Sequence, residues 1–522
     1  MSKMAWFGAM VLGSGLSSVS YAAEVVLYDS GDGCQFVADG RTMTFRGCNV
    51  HIENGNGSSN SINSYGNLIL GYNATTGGET RDGSHNLVIG DSHEYRSYGG
   101  VISGDDNLIT GPYGTALSTE ESIVSGDTAA VLGGQANEAT AEYATISGGR
   151  FNVATGQGAS VHGGSNNGAS SQDATVTGGR GNQATNLYAT VSGGAANVAS
   201  GNAASVSGGE SNMASGSGSV VSGGFSSHAS GTSSTISGGY LNVASALDSM
   251  ISGGYRNTAS GTASAITAGQ SNLASGAYSA ISGGQSNTAS GDYAVVMAGQ
   301  NNLASGAHSA ISGGQSNTAS NAYSVVSAGR NNLASGTYSA ISGGDDNTAR
   351  GLGSSISGGD ENTASEEYSA ILGGYRNTAS GEHSAVSGGR DNIAFGDTAS
   401  VSGGRDNIAQ NSYSTVSGGY KNEATGWYSA VSGGYDNAAN NSYASVLGGY
   451  NNVAVGLYSA VSGGYGNVAD GFYSSISGGR DNGASGYYTS VLGGDQNDAR
   501  GSYSAIGGGR LNSLTTPYGF VP

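Results

Sequence analysis

The sequence predicts an all-β protein, a parallel β-solenoid (β-roll) built from 15-residue coils. Three observations predict it. A pair of glycines returns every 15 residues, the stretches between pairs alternate small and β-branched residues, and proline is almost absent. The chain has 522 residues with 96 Gly and 3 Pro, and only 10% are charged, where an ordinary domain carries about a quarter. Disorder would bring proline and dispersed charge. Here nothing between Pro112 and Pro517 interrupts backbone pairing, as a β-ladder requires.

Residues 1–23 read as a secretory signal. Lys3 is the only charge before Glu24, Met4 to Leu16 is apolar, and Ser20-Tyr21-Ala22-Ala23 offers small residues for cleavage. That run is too short and glycine-rich to span a bilayer, so membrane insertion is not expected. Cys34 and Cys48 follow. In an exported chain they are expected to form a disulfide closing a hairpin-like loop around Asp39-Gly40. Residues 24–132 then hold looser versions of the repeat, such as Asn67-Leu68-Ile69-Leu70-Gly71, Asn86-Leu87-Val88-Ile89-Gly90, Val101-Ile102-Ser103-Gly104 and Ile123-Val124-Ser125-Gly126. They read as solenoid strands with longer loops, in a segment that caps the rod.

The strict repeat occupies residues 133–513. From Gly133 to Gly508 the first glycine of the pair recurs in 26 coils without one insertion, sometimes replaced by alanine as at Ala268, Ala298 and Ala328. Counting that glycine as position one, Asn fills position five in every coil but that of Ser227, and Ala fills position seven as far as Ala499. Position twelve is small, and fourteen is always Val or Ile. Alternation with period two places positions five and seven on one inward face and twelve and fourteen on another. Two short strands per coil result, separated by the double glycine and by the glycine near position nine. The buried Asn column is expected to form amide ladders. Residues 514–522, with Pro517 and Pro522, read as a second cap.

The interior is thin, with one β-branched residue per coil, which points to several chains packed side by side. Position six alternates Thr258, Leu273, Thr288, Leu303, Thr318, Leu333 and Thr348. With Val153, Val198, Ile393, Ile408, Val453 and Val468 it is a candidate subunit contact. Position eleven is Tyr in every coil from Tyr413 to Tyr518. Position three carries Tyr420, Tyr435, Tyr450 and Tyr465, with Arg390, Arg405, Arg480 and Arg510 flanking. These four tyrosines are the candidate binding strip, and a stabilising aromatic stack is the alternative.

The stretch Tyr278-Ser279-Ala280-Ile281-Ser282-Gly283-Gly284-Gln285-Ser286-Asn287-Thr288-Ala289-Ser290-Gly291 resembles the head repeats of trimeric autotransporter adhesins (YadA-like heads). The resemblance implies a left-handed β-roll, packing as a homotrimer, and surface adhesion to a glycan or extracellular-matrix ligand. This repeat is 15 rather than 14 residues because glycine is doubled. No heptad stalk or membrane-barrel segment follows Tyr518, so a released or partner-held protein is expected.

No catalytic chemistry is expected. Lysine occurs only at Lys3 and Lys421, which excludes a phosphate-binding loop of the Gly-Lys-Ser/Thr kind. The seven histidines are dispersed; His85, His93 and Glu94 form the one cluster worth inspecting, and no metal or cofactor is expected. Asp345-Asp346, Asp360-Glu361 and Glu366-Glu367 could in principle pair for glycoside hydrolysis, but the first two pairs fall at variable turn positions. A net charge of −19 argues against nucleic acid and anionic membranes. The function expected is a secreted adhesive or structural solenoid. An ice-binding protein and an extracellular filament or matrix subunit are the alternatives; mixed Ser, Thr and Ala at positions thirteen and fifteen weigh against ice.

Overall fold

The computed structural model describes residues 25–75 and 77–522. The expected signal peptide lies outside the described residues. Three strands, β1 (Val25–Asp29), β2 (Gln35–Asp39) and β3 (Thr42–Arg46), form a small antiparallel sheet. Asp39 pairs with Thr42 across a turn at Gly40, and the Cys34–Cys48 disulfide closes the open end of this hairpin.

From β4 (Leu68–Leu70) onwards every pairing in the coil is parallel, and the chain winds into about 30 turns with no helix among the described residues. One ladder passes from β4 through β5 (Leu87–Asp91), β7 (Val101–Asp105), β9 (Thr115–Glu120) and β11 (Ala130–Val131) into positions thirteen and fourteen of the regular coils. The other begins with β6 (Glu94–Tyr95), β8 (Leu108–Ile109) and β10 (Ile123–Val124) and continues as positions six and seven. Ile123-Val124 therefore belongs to the opposite ladder from the three stretches it resembles. Beyond the two expected strands there is a third column: position three bridges to position three of the next coil, from Gln135–Arg150 to Asp495–Arg510.

The core columns lie where alternation placed them. Asn137, Ala139, Ala144 and Ile146 are fully buried, and their counterparts repeat this along the rod. Stacking at the usual strand spacing makes the 26 regular coils ~125 Å long. The ladder also runs on through the segment expected to be a cap. Ser513–Leu514 pairs with Asp498–Ala499, and Phe520–Val521 with Ala505–Ile506. Pro517 fits because it occupies position ten, whose N–H makes no inter-coil backbone bond; Pro112 occupies the equivalent place in its looser coil.

The corners depart from the expected glycine pattern. Only the second glycine of the pair is left-handed, with φ between 85° and 103°, and a Cβ there would fall on the next coil's glycine carbonyl. The first glycine has open space around it and ordinary backbone angles in all but Gly433, which explains alanine at 268, 298 and 328. Position nine is not left-handed at all. Glycine there gives close approach without being required: a Cβ on Gly291 would meet the Gly306 carbonyl, yet other coils carry Ala246, Asn321 or Glu366 at this position. In addition, Gly291 N–H makes an extra bond, 3.3 Å, to the Ala304 carbonyl.

The remaining corners, positions four and eleven, are left-handed with ordinary residues, such as Arg256 (φ 54°) and Tyr293 (φ 59°). There the N–H turns back and donates to the preceding coil, Arg256 to Tyr240 (2.9 Å) and Tyr293 to Ala277 (2.8 Å). An inter-coil hydrogen bond thus offsets conformational strain of about 1–2 kcal/mol.

The glycine pair yields a test. Gly283→Ala should leave the thermal midpoint unchanged, whereas Gly284→Ala should cost at least about 2 kcal/mol by the left-handed strain alone. Equal effects of the two substitutions in thermal or urea unfolding would contradict this assignment.

Candidate functional surface

The position-three and position-eleven columns project from the two turn edges of the coil, and each contains aromatic stacks. Tyr435, Tyr450 and Tyr465 stack with ring centroids 4.7 and 5.0 Å apart and planes within 5°. Tyr420 begins the column but is tilted by 48°, with Arg405 and Lys421 both over its ring. A shorter stack, Phe225–Tyr240–Tyr255, lies earlier in the same column.

Position eleven holds two longer stacks. Tyr278, Tyr293, His308, Tyr323 and Tyr338 form one, with centroids 4.8 to 4.9 Å apart. Tyr413, Tyr428, Tyr443, Tyr458, Tyr473, Tyr488, Tyr503 and Tyr518 form the other, at 4.6 to 5.3 Å. The strand spacing of a parallel sheet sets these distances, so aromatics repeated in an outward column are brought within stacking range.

Stacking changes what the four strip tyrosines can do. Tyr435, Tyr450 and Tyr465 are 39 to 49% exposed, but the faces of Tyr450 are covered by its neighbours. A sugar ring could lie flat only on the end of such a stack. Along the column the chain offers ring edges and a regular row of phenol groups. Near the C-terminal end Tyr487 meets Tyr488 edge-on at 4.6 Å, and neighbouring Tyr487 raises the pKa of the Tyr488 phenol, after the larger effect of desolvation.

The remaining sequence candidates are not brought together. Glu94 pairs with Arg96, His85 Nε2 accepts the Asn54 N–H (3.3 Å), and His93 is buried inside the coil. Asp345, Asp346 and Asp360 do bring carboxylates within 4.8 Å of one another. Arg330 forms a forked ion pair with Asp345 there and holds its carboxyl below the usual range, so this cluster is already partly neutralised. An open groove of about 790 Å³ has a lining that includes Gly104, Thr119, Gly134, Gly149 and the charged Asp105, Glu120 and Arg150.

The face weighed above for ice binding has a second property, the absence of charge. Positions thirteen and fifteen share the outer face of one ladder, and from Thr145 to Pro522 neither contains a single Asp, Glu, Lys or Arg. Every other outward column carries charge, including position six with Glu138, Glu423 and Asp498. The face is mostly Ser and Ala, with exposed apolar knobs at Met250, Met297, Leu372, Leu447 and Leu492. Its signal was a per-column charge count, which core periodicity does not reveal. Position six, the expected subunit contact, lines a hollow among Ile393, Phe395, Ile408 and Gln410 and a second one that includes Val468, Gly483 and Asp498.

Residues 414–426 match the family described as the ubiquitous surface protein adhesin repeat. The matched stretch is shorter than one coil. It spans a strand of the position-thirteen ladder, the double-glycine corner, Tyr420, the buried Asn422 and Ala424. Comparison with curated proteins finds no match. The repeat match and the solenoid fit a structural or adhesive role. Together with the disulfide, the match points to an extracellular or surface location.

The buried hydroxyls at position twelve supply a test. Ser279 Oγ is among ten position-twelve serines with no hydrogen-bond partner, while coils with Ala144 or Ala294 bury alanine in the same place. Ser279→Ala should therefore be neutral or slightly stabilising in urea unfolding. A loss of 1 kcal/mol or more, on the order of one hydrogen bond, would show that the hydroxyl is bonded.

Proposed function

We propose that this chain is an exported, non-catalytic adhesive rod that associates with copies of itself along the charge-free face and binds through its turn edges. The carrying observation is the division of the surface by column. Charge and stacked aromatics occupy the turn edges, while positions thirteen and fifteen form an uncharged face along the entire regular repeat.

A face ~120 Å long and about 10 Å wide presents on the order of 1,200 Å², more than the roughly 800 Å² per partner of a stable interface. Its apolar knobs stand among small residues, where a neighbouring rod can approach closely. The resemblance to trimeric heads makes three copies the expected number. A binding partner would be an extended glycan or matrix protein that meets the row of phenol edges many times, gaining affinity by repetition rather than enclosure.

Sedimentation of the secreted chain should give a discrete oligomer, with the trimer expected. Replacing Ser282 and Ser342 together by Arg should shift it to monomer without loss of β-structure by circular dichroism. A monomeric native chain, or an unaltered oligomer in the double variant, would contradict the interface. The binding edge is tested on arrays of glycans and matrix proteins. Replacement of Tyr420, Tyr435, Tyr450 and Tyr465 by Ser should reduce binding at least tenfold. Undiminished binding would leave the strip a purely structural stack.

A further inference from the structure

The position-five column begins in a residue that titrates. Read backwards from Asn137, it continues through Ser122 and Asn107 to His93, which is fully buried. In a regular coil the Asn Oδ1 accepts the backbone N–H of the next coil's Asn, as Asn137 does from Asn152 (3.0 Å). Its Nδ2 donates to the carbonyl four residues back, as Asn152 does to Gly148 (3.0 Å). His93 occupies both roles. Its Nδ1 faces the Asn107 N–H at 3.4 Å, and its Nε2 lies 3.0 Å from the carbonyl of Ile89, four residues back.

Only the neutral tautomer with hydrogen on Nε2 satisfies both contacts. A proton on Nδ1 would point at another N–H in a site closed to water. The remaining histidines sit elsewhere. His228, half-buried on an outward column, bonds Ser215 Oγ (2.7 Å), and His85 accepts from Asn54.

We propose that His93 is an acid-sensitive latch that joins the N-terminal coils to the rod. On protonation the turn from His93 to Asn107 opens, while the asparagine-held coils beyond it stay closed. The charged groups around the ring are Asp105 on β7 and Asp91 on β5, which favour the proton, and Arg81, which opposes it and whose Nε donates to the His93 carbonyl (3.0 Å). Burial outweighs them and holds the imidazole below its ordinary pKa.

Folding favours the neutral ring, so its stabilisation is complete above the unfolded value of about 6.5 and is lost as the pH falls from there through the folded value.

Hydrogen exchange of the whole chain, corrected for intrinsic rates, tests this. Between pH 7 and pH 5 the amides of residues 93–110 should lose up to about tenfold protection per pH unit. Those of residues 270–350 should lose none. His93→Asn restores the regular column residue and should abolish the pH response, whereas His85→Asn should retain it. A pH-flat response in the native chain, or the same loss in His93→Asn, would overturn the latch. Should His93→Asn fail to fold, the titration of His93 followed by deuterium uptake at its ring decides the matter. A midpoint below 6.5 supports the latch, and one at or above 6.5 contradicts it.

Discussion

A single side chain, the asparagine at position five, holds successive coils in register. Asn287 shows the full set. Its backbone N–H donates to Asn272 Oδ1 (3.0 Å), and its Nδ2 donates to the Gly283 carbonyl (3.0 Å) and to the Gly299 carbonyl of the next coil (2.9 Å). Its own Oδ1 then accepts from Asn302 N–H (3.0 Å). One carboxamide thus ties its own coil to the next and bonds carbonyls on both double-glycine corners, where the backbone is tightest, and its backbone N–H is held in turn by the asparagine before it. Aspartate has no NH₂, glutamine is longer by a methylene, and serine does half the work. At Ser227 the hydroxyl accepts from Asn242 N–H at 3.3 Å and donates to the Phe225 carbonyl (3.4 Å), leaving the glycine carbonyls that asparagine would bond without it.

The expectation of an amide ladder is modified accordingly. Amide-to-amide contacts occur in some coils, for example Asn347 Nδ2 to Asn332 Oδ1 (3.1 Å), but the constant partners are backbone groups. The core is correspondingly undemanding. Ala at seven and Val or Ile at fourteen fill a narrow interior, and position twelve accepts Ser or Ala alike. Specificity of register comes from polar bonds with exact geometry, and burial supplies the non-directional remainder.

This division explains what the sequence revealed. Columns under a strict steric or hydrogen-bonding rule were legible: Asn at five, Ala at seven, Val/Ile at fourteen, and the Cys34–Cys48 bridge. The corners at four and eleven were not, because their left-handed angles are held by inter-coil bonds and accommodate Arg, Tyr, Asp or Ser alike. The bridge at position three was hidden for the same reason, since its partner is always itself one coil away and any side chain may ride on it. The tyrosine strip was visible as a column, but the coverage of ring faces follows only from the coil spacing. The charge-free face required asking which residues a column lacks.

Regular stacking also passes local chemistry along the rod. Each coil bonds mainly to its two neighbours, so a weak coil is a local joint and leaves distant coils intact. Hydrogen exchange at the amide of Asn302 in an Asn287→Ala variant probes the asparagine bond set most directly. Loss of protection confined to the coils beginning at Gly283 and Ala298 is expected, by about 100-fold for roughly 3 kcal/mol of unsatisfied polar groups, with Asn287→Ser intermediate. Native-like protection at Asn302 in the alanine variant would contradict the claim that this side chain holds the coils together.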